Sequence, residues 1–375
     1  MAERLVILAI QVYLTCLIPL VFFQRSLIYH PSRSASLPAA QAISRTSVID
    51  IQVKSHDGLT LNGWLLIAGN RTGKNESEAL NLLEKEGNPV ILYFPGNAGQ
   101  RSRRLVPMEV LTSLNAHVVL VDYRGYGDNP GTPSEASFAN DARSIWNYLT
   151  EELNVSPRRI VIYGESLGGG VATRLAGELC KSGIEPGGLI VQSTFDSLVA
   201  VAQKHFPWLP VAVLLVDRYP SDRRINSVTC PILQIHGQQD QIVPFENGQR
   251  LFDAAPAEST SGIAKQQIVM PTTDHNDVYD SQRDSALLQE GLRSFLEQVQ
   301  SQISIQSTGR PAEAEPDSAL SNVTPTAQEG QSVTLLDRRV VMAGLLLAFV
   351  AALELLKRQR SPRTPTGGDH GPPTK

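Results

Sequence analysis

At 375 residues, 42% hydrophobic and 19% charged, the chain has the composition of a globular protein with room for one large α/β domain or two small ones. A formal net charge of −4 leaves no basic footprint, so no nucleic-acid partner is expected. Its three cysteines, Cys16, Cys180 and Cys230, lie far apart without C-x-x-C spacing, and its seven histidines form neither H-x-x-x-H nor H-E-x-x-H. Neither a disulfide framework, nor a bound metal, nor a cofactor is therefore predicted.

In chain order, residues 5–23 (LVILAIQVYLTCLIPLVFF) come first, a run without a charge. At about 1.5 Å per residue it comes close to the hydrocarbon thickness of a bilayer. Gln24 and Arg25 follow directly, with no small-residue cleavage site, which favours a retained anchor within residues 1–30 over a cleaved signal peptide. Residues 48–53 and 59–68 then read as a hairpin around Asp57-Gly58. Further Val/Ile-rich strands are predicted at 89–94, 116–122, 159–163, 188–192, 231–235 and 266–270, with helical windows at 103–114, 133–153, 167–181, 247–255 and 284–300. Strands apolar on both faces and separated by helices predict a parallel sheet covered on both sides, over a catalytic domain at 45–302. The interval 194–229 breaks the rhythm. Its FPWLPVAVLLV run, 206–216, suits either a helical insertion over the sheet or one more core helix.

Beyond the domain, 303–337 reads as a disordered tether rich in Ser, Thr, Gln, Pro and Glu, and 358–375 as a disordered tail. Between them, 338–357 is apolar but short and contains Glu354, so a second membrane span and an amphipathic helix are equally open. The anchor predicts a membrane protein with one or two passes and a bilayer as its neighbour. Sequons at Asn70, Asn75 and Asn322 and the basic cluster after residue 356 leave the side of the membrane open.

The stretch that carries chemistry is GESLGGG, 164–170, between the strand at 159–163 and the helix at 167–181. A serine in so tight a strand-to-helix turn is forced toward unusual backbone angles, and its neighbours two residues away must lack side chains, hence Gly164 and Gly168 around Ser166. The turn lifts the hydroxyl out of the sheet and frees the Leu167 N–H at a helix N-terminus. A serine nucleophile needs a base, and the base an orienting acid. Asp240 follows the strand at 231–235 and His275 follows the strand at 266–270, both beyond strand carboxyl ends, in the chain order Ser, Asp, His. The Gly-rich loop of YFPGNAG, 93–99, offers the Asn97 N–H as a second oxyanion donor, and lacks the Gly-Lys-Ser/Thr of a P-loop. Glu165 and Arg124 are left outside the site, as a residue pointing inward and a structural ion-pair partner.

On the anchor followed by QRSLIYHPS, and on YFPGNAG, VDYRGYGDNPGTPSE, GESLGGG, IHGQQDQIVP and DHND, the chain resembles the membrane-anchored α/β-hydrolases of the Bem (bud-emergence) type. The resemblance implies an α/β-hydrolase fold, a mostly parallel eight-stranded sheet with helices on both faces and a small helical insertion. It implies Ser166 as nucleophile, His275 as base and Asp240 as acid, in a serine hydrolase cleaving esters or thioesters of acyl-proteins or lipids. The expected location is the endoplasmic reticulum or another endomembrane. Pro95, where relatives often carry His, departs from the pattern, as does the extension past residue 302. A serine peptidase and a non-catalytic membrane scaffold are the alternatives; protein partners are unknown.

Overall fold

The computed structural model describes residues 2–33, 48–69, 76–85 and 87–308. A compact unit, Arg25–Ser318, holds the sheet; residues 2–24 belong to a separate unit. Residues 2–24 are the greater part of one helix, α1 (Ala2–Ile28), long and apolar enough over Val6–Ile28 to cross a membrane by length and composition. The three sequons, the rest of the tether, 338–357 and 358–375 lie outside the described residues.

The sheet has eight strands. In chain order after the short β1 (His30–Pro31) they are β2 (Val48–Lys54), β3 (Thr60–Leu66), β4 (Val90–Phe94), β6 (His117–Val121), β7 (Ile160–Glu165), β8 (Gly188–Gln192), β9 (Ile232–Gly237) and β10 (Gln266–Met270). Across the sheet the order is β10-β9-β8-β7-β4-β6-β3-β2. β3 pairs antiparallel with both β2 and β6, and every other pairing is parallel. All eight lie at the predicted apolar runs; the inner strands β4, β6 and β8 are buried on both faces and apolar almost throughout, whereas the edge strand β2 alternates buried and exposed residues.

Strand alternation divides the core in two. Val90, Leu92 and Phe94 of β4 face one layer, with α2 (Glu76–Lys85), α4 (Glu135–Asn147) and α5 (Leu167–Lys181). Ile91 and Tyr93 face the other, with α3 (Leu105–Ser113) and α10 (Ser285–Thr308). The last helix thus continues to Thr308, into the stretch read as tether. The insertion resolves into three short helices, α6 (Leu198–His205), α7 (Val211–Leu214) and α8 (Ser221–Ile225), before α9 (Phe245–Ala254). Its apolar run is not a core helix. Leu209, Val211 and Leu214 are buried, while Phe206, Trp208, Val213 and Val216 are exposed.

Two pairings have no counterpart in the sequence reading. β1 joins β5 (Ala98–Gly99) in a parallel two-stranded sheet, His30 beside Ala98 and Pro31 beside Gly99. Cys180 and Cys230, read as unrelated, meet at the end of α5. The Cys230 thiol donates to Cys180, which outweighs burial and holds Cys180 down to about 6, while Cys230 is pushed well above its ordinary value.

Truncating Leu92, fully buried at the centre of the sheet, removes packing on a face that cannot collapse. Leu92→Ala should lower unfolding free energy by about 2–5 kcal/mol in a urea titration. Val106→Ala, at a position 47% exposed on α3, should stay within about 0.5 kcal/mol. Equal effects would misplace the core.

Candidate active site

β7 ends at Glu165 and α5 begins at Leu167, with Ser166 between them at φ 52°, ψ −116°. A non-glycine residue holds such angles only where packing leaves no alternative. That packing is supplied by the glycines. A Cβ on Gly168 would stand 2.1 Å from the carbonyl oxygen of Phe94 on β4, and one on Gly164 would stand 2.4 Å from the Gly168 carbonyl. The helix start is therefore pressed against the central strands, and the serine must bulge outward. Its N–H donates to the Gln192 carbonyl (2.8 Å) and its carbonyl accepts from Thr194 Oγ1 (2.7 Å), so β8 fixes the turn from the other side.

The loops after β9 and β10 bring the two partners. His275 Nε2 lies 3.0 Å from Ser166 Oγ, and His275 Nδ1 lies 2.7 Å from Asp240 Oδ2. An ionised carboxylate only accepts, so the Nδ1 proton points at Asp240 and the Nε2 lone pair at the serine hydroxyl. Asp240 Oδ1 accepts the N–H groups of Ile242 (2.9 Å) and Val243 (2.7 Å), a local cap that coexists with the histidine bond. Asp274 Oδ1 joins the two loops by accepting the N–H groups of Gln241 (2.9 Å) and His275 (2.7 Å). Burial pushes the Asp240 carboxyl up, but the hydrogen bonds of His236 and His275 and the Val243 N–H outweigh it and hold it at about 2. The acid is charged throughout the physiological range.

His236, at the end of β9, is the residue the sequence reading passed over. Fully buried, it places Nε2 3.3 Å from Asp240 Oδ2 and 3.0 Å from the Val243 carbonyl, so Asp240 lies between two imidazoles. Its one signal was its position four residues before the acid, where a strand residue and a site residue look alike.

The loop carrying Asn97 runs between β4 and β5, and a Cβ on Gly96 would come within 3.6 Å of Ser166 Cβ. The Asn97 carbonyl accepts from the His30 N–H (2.9 Å) and the Tyr126 hydroxyl (2.8 Å), its side-chain amide donates to the Ile28 carbonyl (2.9 Å), and the Tyr123 hydroxyl donates to the Pro95 carbonyl (2.9 Å). Those bonds hold the peptides on either side of the Asn97 N–H. Leu167 is the first residue of α5, where an N–H has no carbonyl of its own helix to bond. Glu165 turns away from the site and accepts from Tyr93 (2.8 Å) and Arg104 (2.6 Å); Arg124 binds Asp57 and Asp141. Among the described residues no group of three His, Cys, Asp or Glu side chains could hold a metal ion.

Residues 91–253 match the profile described as the alpha/beta hydrolase family. An uncharacterized Mycobacterium tuberculosis protein is 39% identical over 273 residues, which cover 73% of this chain and 87% of that protein. Lysophosphatidylserine lipase ABHD12 of Danio rerio is 31% identical over 279 residues, 68% of this chain and 72% of the lipase. The chain belongs to the alpha/beta hydrolase family. It is a hydrolase. Its fold is shared with the Pyrococcus furiosus esterase Pf2001, at a TM-score of 0.53 and 18% identity over 72% of this hydrolase and 98% of the esterase.

Because the Phe94 carbonyl belongs to backbone and cannot yield, Gly168→Ala should destabilise the hydrolase by on the order of 3 kcal/mol. Gly87→Ala, with nothing within 4 Å of the added carbon, should be nearly silent. Thermal denaturation of the two variants in one detergent compares them; a silent Gly168→Ala would mean that close packing does not shape the turn.

Proposed function

We propose that the protein is a membrane-anchored serine hydrolase that cleaves carboxylic ester or thioester bonds of lipids or acylated proteins through an acyl-enzyme. The observation that carries this reading is the continuous chain of hydrogen bonds from Ser166 through His275 to Asp240, starting at a serine in a strained turn. His275 Nε2 takes the hydroxyl proton as Ser166 Oγ attacks the acyl carbonyl; Asp240 holds the imidazole in the required tautomer and stabilises its positive charge. The Asn97 and Leu167 N–H groups donate to the oxyanion of the tetrahedral intermediate. Its collapse breaks the bond to the alcohol or thiol, which leaves with the proton from His275. Water then attacks the acyl-serine, giving its proton to His275, and releases the carboxylic acid and the free serine.

The lipid part of the reading draws on the lysophosphatidylserine lipases among the relatives, which point to lysophospholipids as a substrate class. The membrane part draws on α1, with the endoplasmic reticulum or another endomembrane as the location we propose. The finer kinship with the Bem-type hydrolases rests on the motifs alone.

A fluorophosphonate probe should label Ser166, because only an activated serine reacts readily with it. Undiminished labelling of Ser166→Ala would sink the assignment. His275→Ala should lose nearly as much turnover as the serine variant, since nucleophile and base act as a unit.

Acyl-chain preference tests the substrate class. Each methylene buried beside the serine contributes roughly 0.8 kcal/mol, so kcat/KM for p-nitrophenyl esters, assayed below aggregation, should rise with chain length from two carbons to about eight. A flat or falling profile would move the substrate to small soluble esters.

A further inference from the structure

Single exposed apolar side chains are common on any protein, but a cluster of them rimmed by positive charge is not. The insertion presents one. Phe206 and Trp208 are 40% and 45% exposed, with ring centroids 6.4 Å apart; Val213 and Val216 are 79% and 57% exposed. Lys204 and Arg218, both exposed, flank the run.

Each end of this surface is tied to something specific. At one end, Asp217 directly follows Val216 and is gripped by Arg25 through Nε (2.9 Å) and Nη2 (3.2 Å), while the Tyr29 hydroxyl donates to it at 3.0 Å. Glu135 holds the next two residues, accepting the N–H groups of Arg218 (2.7 Å) and Tyr219 (2.9 Å). Arg25 stands in the last turn of α1, just past the uncharged run, so when that helix crosses a bilayer Arg25 sits at its polar boundary. Asp217, and with it Val216, is then held at the same level. At the other end, His205 Nε2 lies 2.8 Å from the carbonyl of Ile242, itself 49% exposed and bonded through its N–H to Asp240.

We propose that this face, 206–216 with Ile242 at its edge, docks into the phospholipid bilayer that α1 crosses, so that the mouth of the site receives acyl chains from the lipid surface rather than from water. The proposal rests on the anchor reading given above. Aromatic rings and valines enter the boundary between headgroups and acyl chains, and Lys204 and Arg218 meet the phosphates, the arrangement by which interfacial segments hold to membranes.

Tryptophan fluorescence tests it directly, because Trp64 and Trp146 are buried and Trp208 alone of the three is exposed. The full-length chain is reconstituted into phosphatidylcholine vesicles with and without brominated acyl chains, beside Trp208→Phe, which identifies the Trp208 component. A blue-shifted Trp208 emission that brominated lipid quenches is the expected result. Emission typical of water, without quenching, overturns the docking, and so does a blue-shifted emission that brominated lipid leaves untouched, which would mean cover by protein, a second copy or this chain's own residues 340–356. Alkaline carbonate treatment of the same vesicles reports the anchor separately. Release there overturns the anchor reading, whereas a retained protein with unquenched Trp208 overturns the docking alone.

Discussion

The contact between Gly168 and the carbonyl of Phe94 is the constraint on which the site depends. It allows α5 to begin against the middle of the sheet, and that closeness leaves Ser166 no ordinary backbone conformation. A serine one residue into a relaxed turn would lie along the sheet edge and donate to a backbone carbonyl. Here the hydroxyl stands above β7, where the loops after β9 and β10 can reach it. Strain held by a packed core sets where the Ser166 hydroxyl stands, and that core is built on both faces of the central strands.

Electrostatics supplies the second half. A buried carboxylate needs partners, and Asp240 has four: two N–H groups from its own loop, His275 and His236. The loop N–H groups fix its position, and with one oxygen so occupied the other faces His275. His236 adds a second imidazole to that oxygen without approaching the serine, which fits a positioning part rather than a share in the reaction. The acid is thereby kept ionised, and an ionised acid is what keeps the His275 lone pair turned toward the serine.

The parts legible in the sequence are those written in local periodicity. Inner strands are apolar on both faces and the edge strand β2 alternates, so all eight could be located, and the close packing at the elbow demands glycine at 164 and 168, so the turn could be read as a turn. Asp240 and His275 were placed by strand ends and chain order, and the structure brings both within hydrogen-bond reach of their partners. What escaped is long-range. No local pattern announces that His30 pairs with Ala98, that Cys180 meets Cys230, or that Arg25 reaches Asp217. His236 escaped for a different reason: it stands inside a strand where an apolar residue would fit the pattern equally well.

The last residue of α1 and the segment after it belong to the unit that holds the site, bonded both to the Asn97 loop and to the insertion. The central claim is that Ser166 carries the acyl group between two half-reactions. Rapid quenching of the full-length protein during turnover of a p-nitrophenyl ester, followed by peptide mass spectrometry, tests that claim most directly. The expected result is one acyl adduct on the peptide containing Ser166, formed in a burst and lost as substrate is exhausted. Continued turnover with Ser166 unmodified, or an adduct on another residue, would contradict it.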